Sequence, residues 1–324
     1  MCPLTLSSQH HRILVSSLAD RAAPLAQSDR FAVYGLPDDV LIVHDFTPAE
    51  IDNNICAYVA YELLPLLAAT RPAAAVVGDG LSEQQIFERS VGAIVRSIDG
   101  SERRAWHLFY DNTLAALQGT ASNGTRERVP HDFIDDFRSI YWKAADLIAE
   151  MPGASVLDVA TCFGFLPLLL AEHEAGAAPR QFVAFDHNPA MVALAEDYRS
   201  HRNVPGLKFV CADILTDDLE RAFAPIEPRF DIVTAIHLLE HLTPEETFRA
   251  FDNLWALSRR RLIVAVPFEG EPDPRFGHHQ SFDQASLAAL AARADGRARS
   301  FDHHGGWLVI DRDGGEVTHR ERPQ

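Results

Sequence analysis

The chain has 324 residues, 47% of them hydrophobic and 23% charged, which is enough for one large domain or two ordinary ones. Its formal net charge of −17 makes nucleic acid an unfavourable substrate, because phosphate carries the same sign. The sequence has no uncharged apolar run long enough to span a membrane, and its first residues do not show the basic-then-apolar order expected of a signal peptide. Its four cysteines form no CxxC pair. We therefore expect a soluble, cytoplasmic protein with neither a membrane nor a nucleic-acid partner; its oligomeric state is left open.

The first part of the chain is predicted to form a mainly helical α+β domain. Residues 1–29 show little periodicity and are expected to be partly helical. Further along, Thr47, Pro48 and Glu50 form a capping sequence that predicts a helix start, and Pro65 should kink that helix. The predicted elements are strands at 31–36 and 39–46, the helix beginning at 47, and helices at 82–97 and 101–118.

The composition of residues 121–130, ASNGTRERVP, is typical of a linker. We therefore predict an accessory or substrate-cap domain at 1–125 and a second domain at 126–324. In the second domain, short apolar runs alternate with helices, which predicts a mostly parallel sheet covered on both faces. Gly305 and Gly306 predict a tight hairpin, which places His303 and His304 at a turn. The predicted strands are 154–160, 181–186, 207–213, 231–236, 262–268, 297–304 and 307–312; the predicted helices are 131–150, 167–175, 189–200, 244–257 and 283–294.

The sequence VLDVATCFGF at 156–165 covers the end of the first strand of this sheet. It resembles the first motif of class I S-adenosylmethionine (SAM)-dependent methyltransferases, a hydrophobic strand followed by D-x-G-x-G-x-G. Asp158 and Gly164 match, whereas Ala160 and Cys162 replace the first two glycines. Because neither is glycine, we expect the turn to avoid positive φ at both positions. The resemblance implies a Rossmann-like fold with a seven-stranded sheet, and SAM as the cofactor.

Acidic residues also end the next two predicted strands. Asp186 has the capacity to accept hydrogen bonds from both ribose hydroxyls. In the family, Asp213 would accept from the adenine amino group and Ile214 would pack on the ring. One aspartate at a strand end is most often a cap, but three at successive strand ends favour a ligand crevice. The cofactor residues that the resemblance implies are Asp158, Ala160, Gly164, Asp186, Asp213, Ile214 and Ile236. Tyr141 and Trp142 either cover the methionyl end or belong to the core.

The segment after the fourth strand carries His237, Glu240 and His241 at i, i+3, i+4 spacing. If this segment is helical, all three lie on one face. The later loop, 267–283, would bring His278 and His279 over the same crevice. In one interpretation His237 or His241 acts as a general base beside Glu240. In a second, His237, Glu240, His241 and His278 bind a divalent metal that lowers the pKa of a substrate hydroxyl. In a third, the residues only pack locally.

The metal interpretation follows a resemblance. Small-RNA 3′-end methyltransferases and ubiquinone-type O-methyltransferases carry E-x-x-E-H at this place, and this sequence has H-x-x-E-H. The additional histidine shifts the preference towards zinc or manganese and away from magnesium.

A narrower resemblance comes from CFGFLPLLLAE after VLDVA, the long helical amino-terminal region and the GHHQSFD segment. These features are similar to the methyltransferase of mycofactocin gene clusters. That family O-methylates a sugar in an oligosaccharide attached to a peptide-derived redox cofactor, so the resemblance implies a glycan or other small molecule as the acceptor. The alternatives are methylation of a phenol, carboxylate or amine of another natural product, and a SAM-binding protein without catalysis.

Overall fold

The structure, a computed structural model, describes residues 11–13, 23–36, 39–70, 81–120, 129–173, 181–216, 219, 223 and 229–312. The chain divides into two compact units. One comprises Met1–Arg138 and Asp273–Gly277, and the other comprises Ser139–Pro272 and His278–Gln324. The domain boundary between residues 125 and 126 stays a prediction, because residues 121–128 of the proposed linker lie outside the described residues.

The first unit contains a four-stranded sheet in the order β1-β4-β3-β2. Its strands are β1 His11–Ile13, β2 Ala26–Gln27, β3 Phe31–Leu36 and β4 Asp39–His44. The two predicted strands at 31–36 and 39–46 form, and they pair antiparallel as β3 and β4. The described parts of residues 1–29 contain strands and no helix: β1 is parallel to β4, and β2 is antiparallel to β3. Pairing with a distant hairpin decides these strands, and a local pattern does not carry that information.

Helices complete the first unit. The capping box of Thr47 and Glu50 forms as predicted, but it begins only a short 3₁₀-helix, Pro48–Glu50. The chain then forms Ile55–Tyr58, a π-helix at Val59–Leu63, and Leu64–Ala69. Pro65 is the second residue of the helix Leu64–Ala69, where its missing N–H is tolerated because the first turn of a helix leaves N–H groups without intrahelical partners. The helices at Glu83–Ser97 and Glu102–Leu117 are confirmed.

The second unit contains a seven-stranded sheet in the order β10-β11-β9-β8-β5-β6-β7. All pairs are parallel except those of β11, which is antiparallel to both of its neighbours. The predicted Rossmann-like fold with an antiparallel end hairpin is therefore confirmed. The strands are β5 Val156–Val159, β6 Phe182–Asp186, β7 Leu207–Cys211, β8 Phe230–Ile236, β9 Ser258–Val266, β10 Gly296–Asp302 and β11 Gly306–Arg312. The helices are Phe133–Ala149, Phe165–His173, Pro189–Arg202, Pro244–Leu257 and Gln284–Ala291.

The central strands of this sheet are buried along their whole length. Every residue of β5 and β6 is buried, because helices cover both faces and no position alternates towards water. The strand order reverses between β5 and β8, so the topological switch point of the sheet lies at the carboxyl ends of these strands. Open α/β sheets bind their ligands in a crevice at this point. None of the described helices combines the length and apolar character needed to cross a membrane.

Candidate functional site

The turn after β5 is built on left-handed backbone conformations. Ala160, Cys162 and Gly164 have φ values of 58°, 52° and 73°. The expectation that Ala160 and Cys162 avoid positive φ is therefore wrong. The chain must reverse between β5 and the helix that begins at Phe165, and the small side chains tolerate a strain of about 1–2 kcal/mol each. Gly164 has a second reason to be glycine, since a Cβ there would lie 2.6 Å from the Phe209 ring.

Asp158 supports this turn from inside the sheet. The Thr161 hydroxyl donates to its Oδ2 (2.7 Å) and the Thr234 hydroxyl donates to its Oδ1 (2.6 Å). Burial raises the pKa of Asp158 to about 6, although the two hydroxyls oppose the shift. Both oxygens are thus engaged within the protein, and a direct contact of Asp158 with the cofactor stays a prediction.

Asp186 joins the same turn to the end of β6. Its Oδ2 accepts from the Cys162 N–H (2.9 Å), and its Oδ1 accepts from the Asn188 N–H (2.8 Å). A carboxylate has roughly four lone-pair sites, so about two acceptor positions remain beyond these amides. Two acceptors match the two hydroxyls of a ribose.

The residues after β7 differ in exposure. Asp213 is exposed, and its Oδ1 accepts from the Leu215 N–H (2.8 Å). Ile214 is only 5% exposed and packs in the hydrophobic core, so contact with an adenine ring stays a prediction for it. Ile236, the last residue of β8, is likewise buried at 8% exposure.

Tyr141 lies next to the β5 turn. Burial raises the pKa of its hydroxyl, and the negative charge of Cys162 and Asp158 adds to the shift. Its neighbour Trp142 is half-buried. Both positions are compatible with covering the methionyl end of the cofactor and with a place in the core.

The condition under which His237, Glu240 and His241 would share one helix face is not met, because no helix begins at His237. His237 has φ 56°, and its N–H donates to Ala265 O (2.9 Å). The sheet ladder with β9 thus continues to His237, and only Leu239–His241 forms a 3₁₀-helix. As a result, His237 Nδ1 lies 3.1 Å from Glu240 Oε1, whereas the His241 ring contacts His278, with ring centroids 4.9 Å apart.

Glu240 is completely buried at 0% exposure. Within the described residues, neither of its carboxylate oxygens accepts a hydrogen bond of normal geometry. Burial raises its pKa, but His237 and His241 outweigh burial and hold the pKa of Glu240 below its usual value. The site therefore contains a buried carboxylate whose charge is stabilised mainly by two histidines.

Three of the four predicted metal-ligand residues come together. Glu240, His241 and His278 each offer one ligand atom, and these atoms lie within 4.8 Å of one another. We call these three residues the Glu–His–His group. His237 is not a member, since it contacts Glu240 from the side of β8.

The loop after β9 closes onto this group. The His279 N–H donates to Glu240 O (2.7 Å), while the exposed side chain of His279 takes no part. Gln280 Nε2 donates to Leu239 O (3.1 Å) and Leu242 O (2.7 Å). These bonds attach the loop to the 3₁₀-helix on both sides of Glu240.

Glu269 is a site residue that the sequence did not indicate. Its Oε2 lies 2.8 Å from His278 Nδ1. The two residues are nine positions apart in an irregular loop, so no helical or strand spacing relates them. By contrast, His303 and His304 lie at the β10–β11 turn as predicted, where His303 Nε2 contacts Ser139 O (3.2 Å).

Residues 156–260 match a family model described as a methyltransferase domain. The match begins at β5 and ends in β9, so it includes the β5 turn, Asp186 and the 3₁₀-helix of Glu240. It covers less than half of the chain. It supports the general class, a SAM-dependent methyltransferase, without indicating the acceptor. No curated protein matches the chain.

Three of the similar solved structures are a methyltransferase with bound SAM, a methyltransferase domain, and a domain with bound SAH. Magnesium protoporphyrin IX methyltransferase from Synechocystis PCC 6803, with bound SAM, is 17% identical (TM-score 0.44; 72% of this chain, 99% of that chain). The methyltransferase domain of bacterial CtHen1-CN is 15% identical (TM-score 0.44; 54% and 99%). The N-terminal domain of EvdMO1 with SAH is 19% identical (TM-score 0.40; 53% and 80%). At these identities and TM-scores, the similarities carry no argument about function.

Proposed function

We propose that the protein is a SAM-dependent O-methyltransferase whose acceptor is a hydroxyl of a neutral sugar. The observation that carries the proposal is the Glu–His–His group at the end of β8, on the same edge of the sheet as Asp186 at the end of β6. The carboxyl ends of parallel strands share one edge, so a nucleoside held by Asp186 would direct its reactive end towards this group.

The β6 end and the β5 turn fit SAM. SAM supplies the methyl group as a sulfonium, and it carries no phosphate that Asp186 would repel. Asp186 already orders the turn through Cys162 and keeps acceptor positions for ribose. The residues of this chain therefore bind and orient the cofactor, which is the main contribution a protein makes to an in-line displacement.

The Glu–His–His group fits a divalent cation. One buried carboxylate without hydrogen-bond donors and two imidazoles form a donor set that suits zinc, manganese or similar ions better than magnesium. When bound, such a cation lowers the pKa of a coordinated hydroxyl. His237, through its contact with Glu240 Oε1, would steady the carboxylate and would not act as a fourth ligand.

General-base catalysis without a metal is the second candidate, and one contact favours it. His237 Nδ1 lies 3.1 Å from the buried Glu240, and a carboxylate that orients an imidazole is the usual arrangement of a histidine base. In this version, His237 would accept the hydroxyl proton on Nε2. A chelator separates the two candidates, because it inactivates only the metal-dependent enzyme.

The sugar acceptor rests on composition and on the resemblance to the methyltransferase of mycofactocin gene clusters. A net charge of −17 does not repel an uncharged glycan, whereas it disfavours nucleic acid. Phenols, carboxylates and amines of other natural products are the competing acceptors.

The test mixes purified protein and SAM with matched acceptors: neutral oligosaccharides, phenols, carboxylic acids and amines. Mass spectrometry of the products identifies the acceptor, and the comparison with and without EDTA tests whether a metal is required. We expect methylated oligosaccharide and a loss of activity in EDTA that manganese or zinc restores. Methylation only of non-sugar acceptors would overturn the sugar assignment. SAM binding by calorimetry without turnover on any acceptor would favour the non-catalytic alternative.

A further inference from the structure

We infer that Glu269 is a positioning residue that orients His278 for cation binding. The inference rests on the cation site of the proposed function and adds to it a residue outside the Glu–His–His group. Glu269 Oε2 lies 2.8 Å from His278 Nδ1, and the His278 side chain is only 8% exposed. This contact is therefore largely shielded from water, unlike a surface ion pair of little energetic value.

The contact determines which ring nitrogen faces the group. A carboxylate only accepts hydrogen bonds, so His278 must donate from Nδ1 to Glu269. The neutral imidazole then carries its lone pair on Nε2, the atom through which His278 would bind a cation. Metal-binding histidines commonly donate their other ring N–H to a carboxylate in this way, which fixes the tautomer and strengthens the ligand.

The residues that follow His278 hold the loop beside the 3₁₀-helix, through the His279 N–H and the Gln280 side chain. Glu269 adds a hydrogen bond to the His278 ring itself and so restrains its rotation. The ring lies at 84° to the His241 ring. Glu269 itself is 28% exposed at its side chain, so it lies at the outer side of the group.

Titration of the full-length protein with Co²⁺ tests the inference, since the visible absorption of Co²⁺ reports the number and type of its ligands. The variant is Glu269→Gln, which keeps size but removes the charge. Glu271→Gln is the matched control, because Glu271 is an exposed carboxylate of the same loop. We expect Glu269→Gln to weaken Co²⁺ binding about 10–100-fold and to change the spectrum. The control should match the wild type, and all three proteins should bind SAM equally.

The outcomes separate the inference from the proposed function. Wild-type affinity and spectrum in Glu269→Gln would overturn the positioning role and leave the cation site intact. If the wild type binds no Co²⁺ and keeps its activity in EDTA, the cation site fails and the inference fails with it. If the glutamine variant does not fold, Glu269→Asp replaces it. A Co²⁺ affinity between those of the wild type and of His278→Ala supports the inference. A Co²⁺ affinity equal to that of the wild type contradicts it.

Discussion

Two regions of one sheet edge hold buried carboxylates in opposite ways. At the ends of β5 and β6, both oxygens of Asp158 and of Asp186 accept hydrogen bonds from the protein. At the end of β8, Glu240 is at least as buried, and neither of its oxygens accepts one from the described residues. The carboxylates of the first region are thus fixed by hydrogen bonds to the protein, whereas the charge of Glu240 faces the rings of His237 and His241.

This difference has an energetic cost. A buried polar group without its hydrogen bonds costs about 1–3 kcal/mol, and a charged one costs more. The contact with His237 and its charge, together with the charge of His241, outweigh that cost and lower the pKa of Glu240. The comparison therefore predicts that substitutions at Glu240 disturb the Glu–His–His group, whereas substitutions at Asp158 and Asp186 disturb the turn or the cofactor.

The largest effect is expected for Glu240→Gln. The substitution removes the charge of the Glu–His–His group at nearly constant volume, so methyl transfer should fall about 100-fold or more. The metal-free protein should also lose stability at neutral pH, because the lowered pKa of Glu240 means that its ionised form stabilises the fold. Turnover assays and thermal unfolding measure both, with the exposed Glu245→Gln as control. Wild-type turnover in Glu240→Gln would contradict the comparison.

Asp186→Ala should have the next largest effect, a loss of SAM affinity of about tenfold or more. The substitution removes the hydrogen bonds of the carboxylate to ribose and to the Cys162 N–H, and each charged hydrogen bond is worth about 1.5–3 kcal/mol. Isothermal calorimetry measures the affinity. Asp213→Ala is the comparison variant and should lose less, because Asp213 is exposed. Unchanged SAM affinity in Asp186→Ala would refute the cofactor assignment.

Asp158 should make stability depend on pH. Its pKa rises from 3.8 to about 6 in the native state, so the folded protein holds this proton more tightly than the unfolded chain. The group therefore stabilises the fold at low pH, and this contribution is lost as the pH rises through about 6. Relative to Asp158→Asn, the wild type should lose stability between about pH 4 and about pH 7 in urea unfolding. A constant difference between the two proteins would show that burial does not shift this carboxyl.

The smallest effect concerns the backbone of the β5 turn. Ala160→Gly and Cys162→Gly should each be neutral or stabilising by up to about 1 kcal/mol, because relief of the positive φ outweighs the added unfolded-state entropy. Ala289→Gly is the matched control in the exposed face of the helix Gln284–Ala291, where glycine costs about 1 kcal/mol. Chemical unfolding compares the three. Equal destabilisation by all three would show that the turn is unstrained.

The sequence by itself determined the order of elements in the second unit, and it placed the carboxyl ends of the β6, β8 and β11 strands at the residues where the structure has them. Continuous apolar runs and capping residues are local signals, and the carboxyl ends of parallel strands necessarily share an edge. Asp186, Glu240, His241 and His278 were identified for that reason.

Only the tertiary structure decided the positive φ at Ala160 and Cys162, the sheet ladder that continues to His237, and the contact of Glu269 with His278. Each of these depends on partners far away in the chain: β9 for His237, a turn joined to β6 for Cys162, and an irregular loop for Glu269. A local sequence pattern records what a segment prefers, whereas these three features are settled by hydrogen bonds and sterics that exist only after the sheet has assembled.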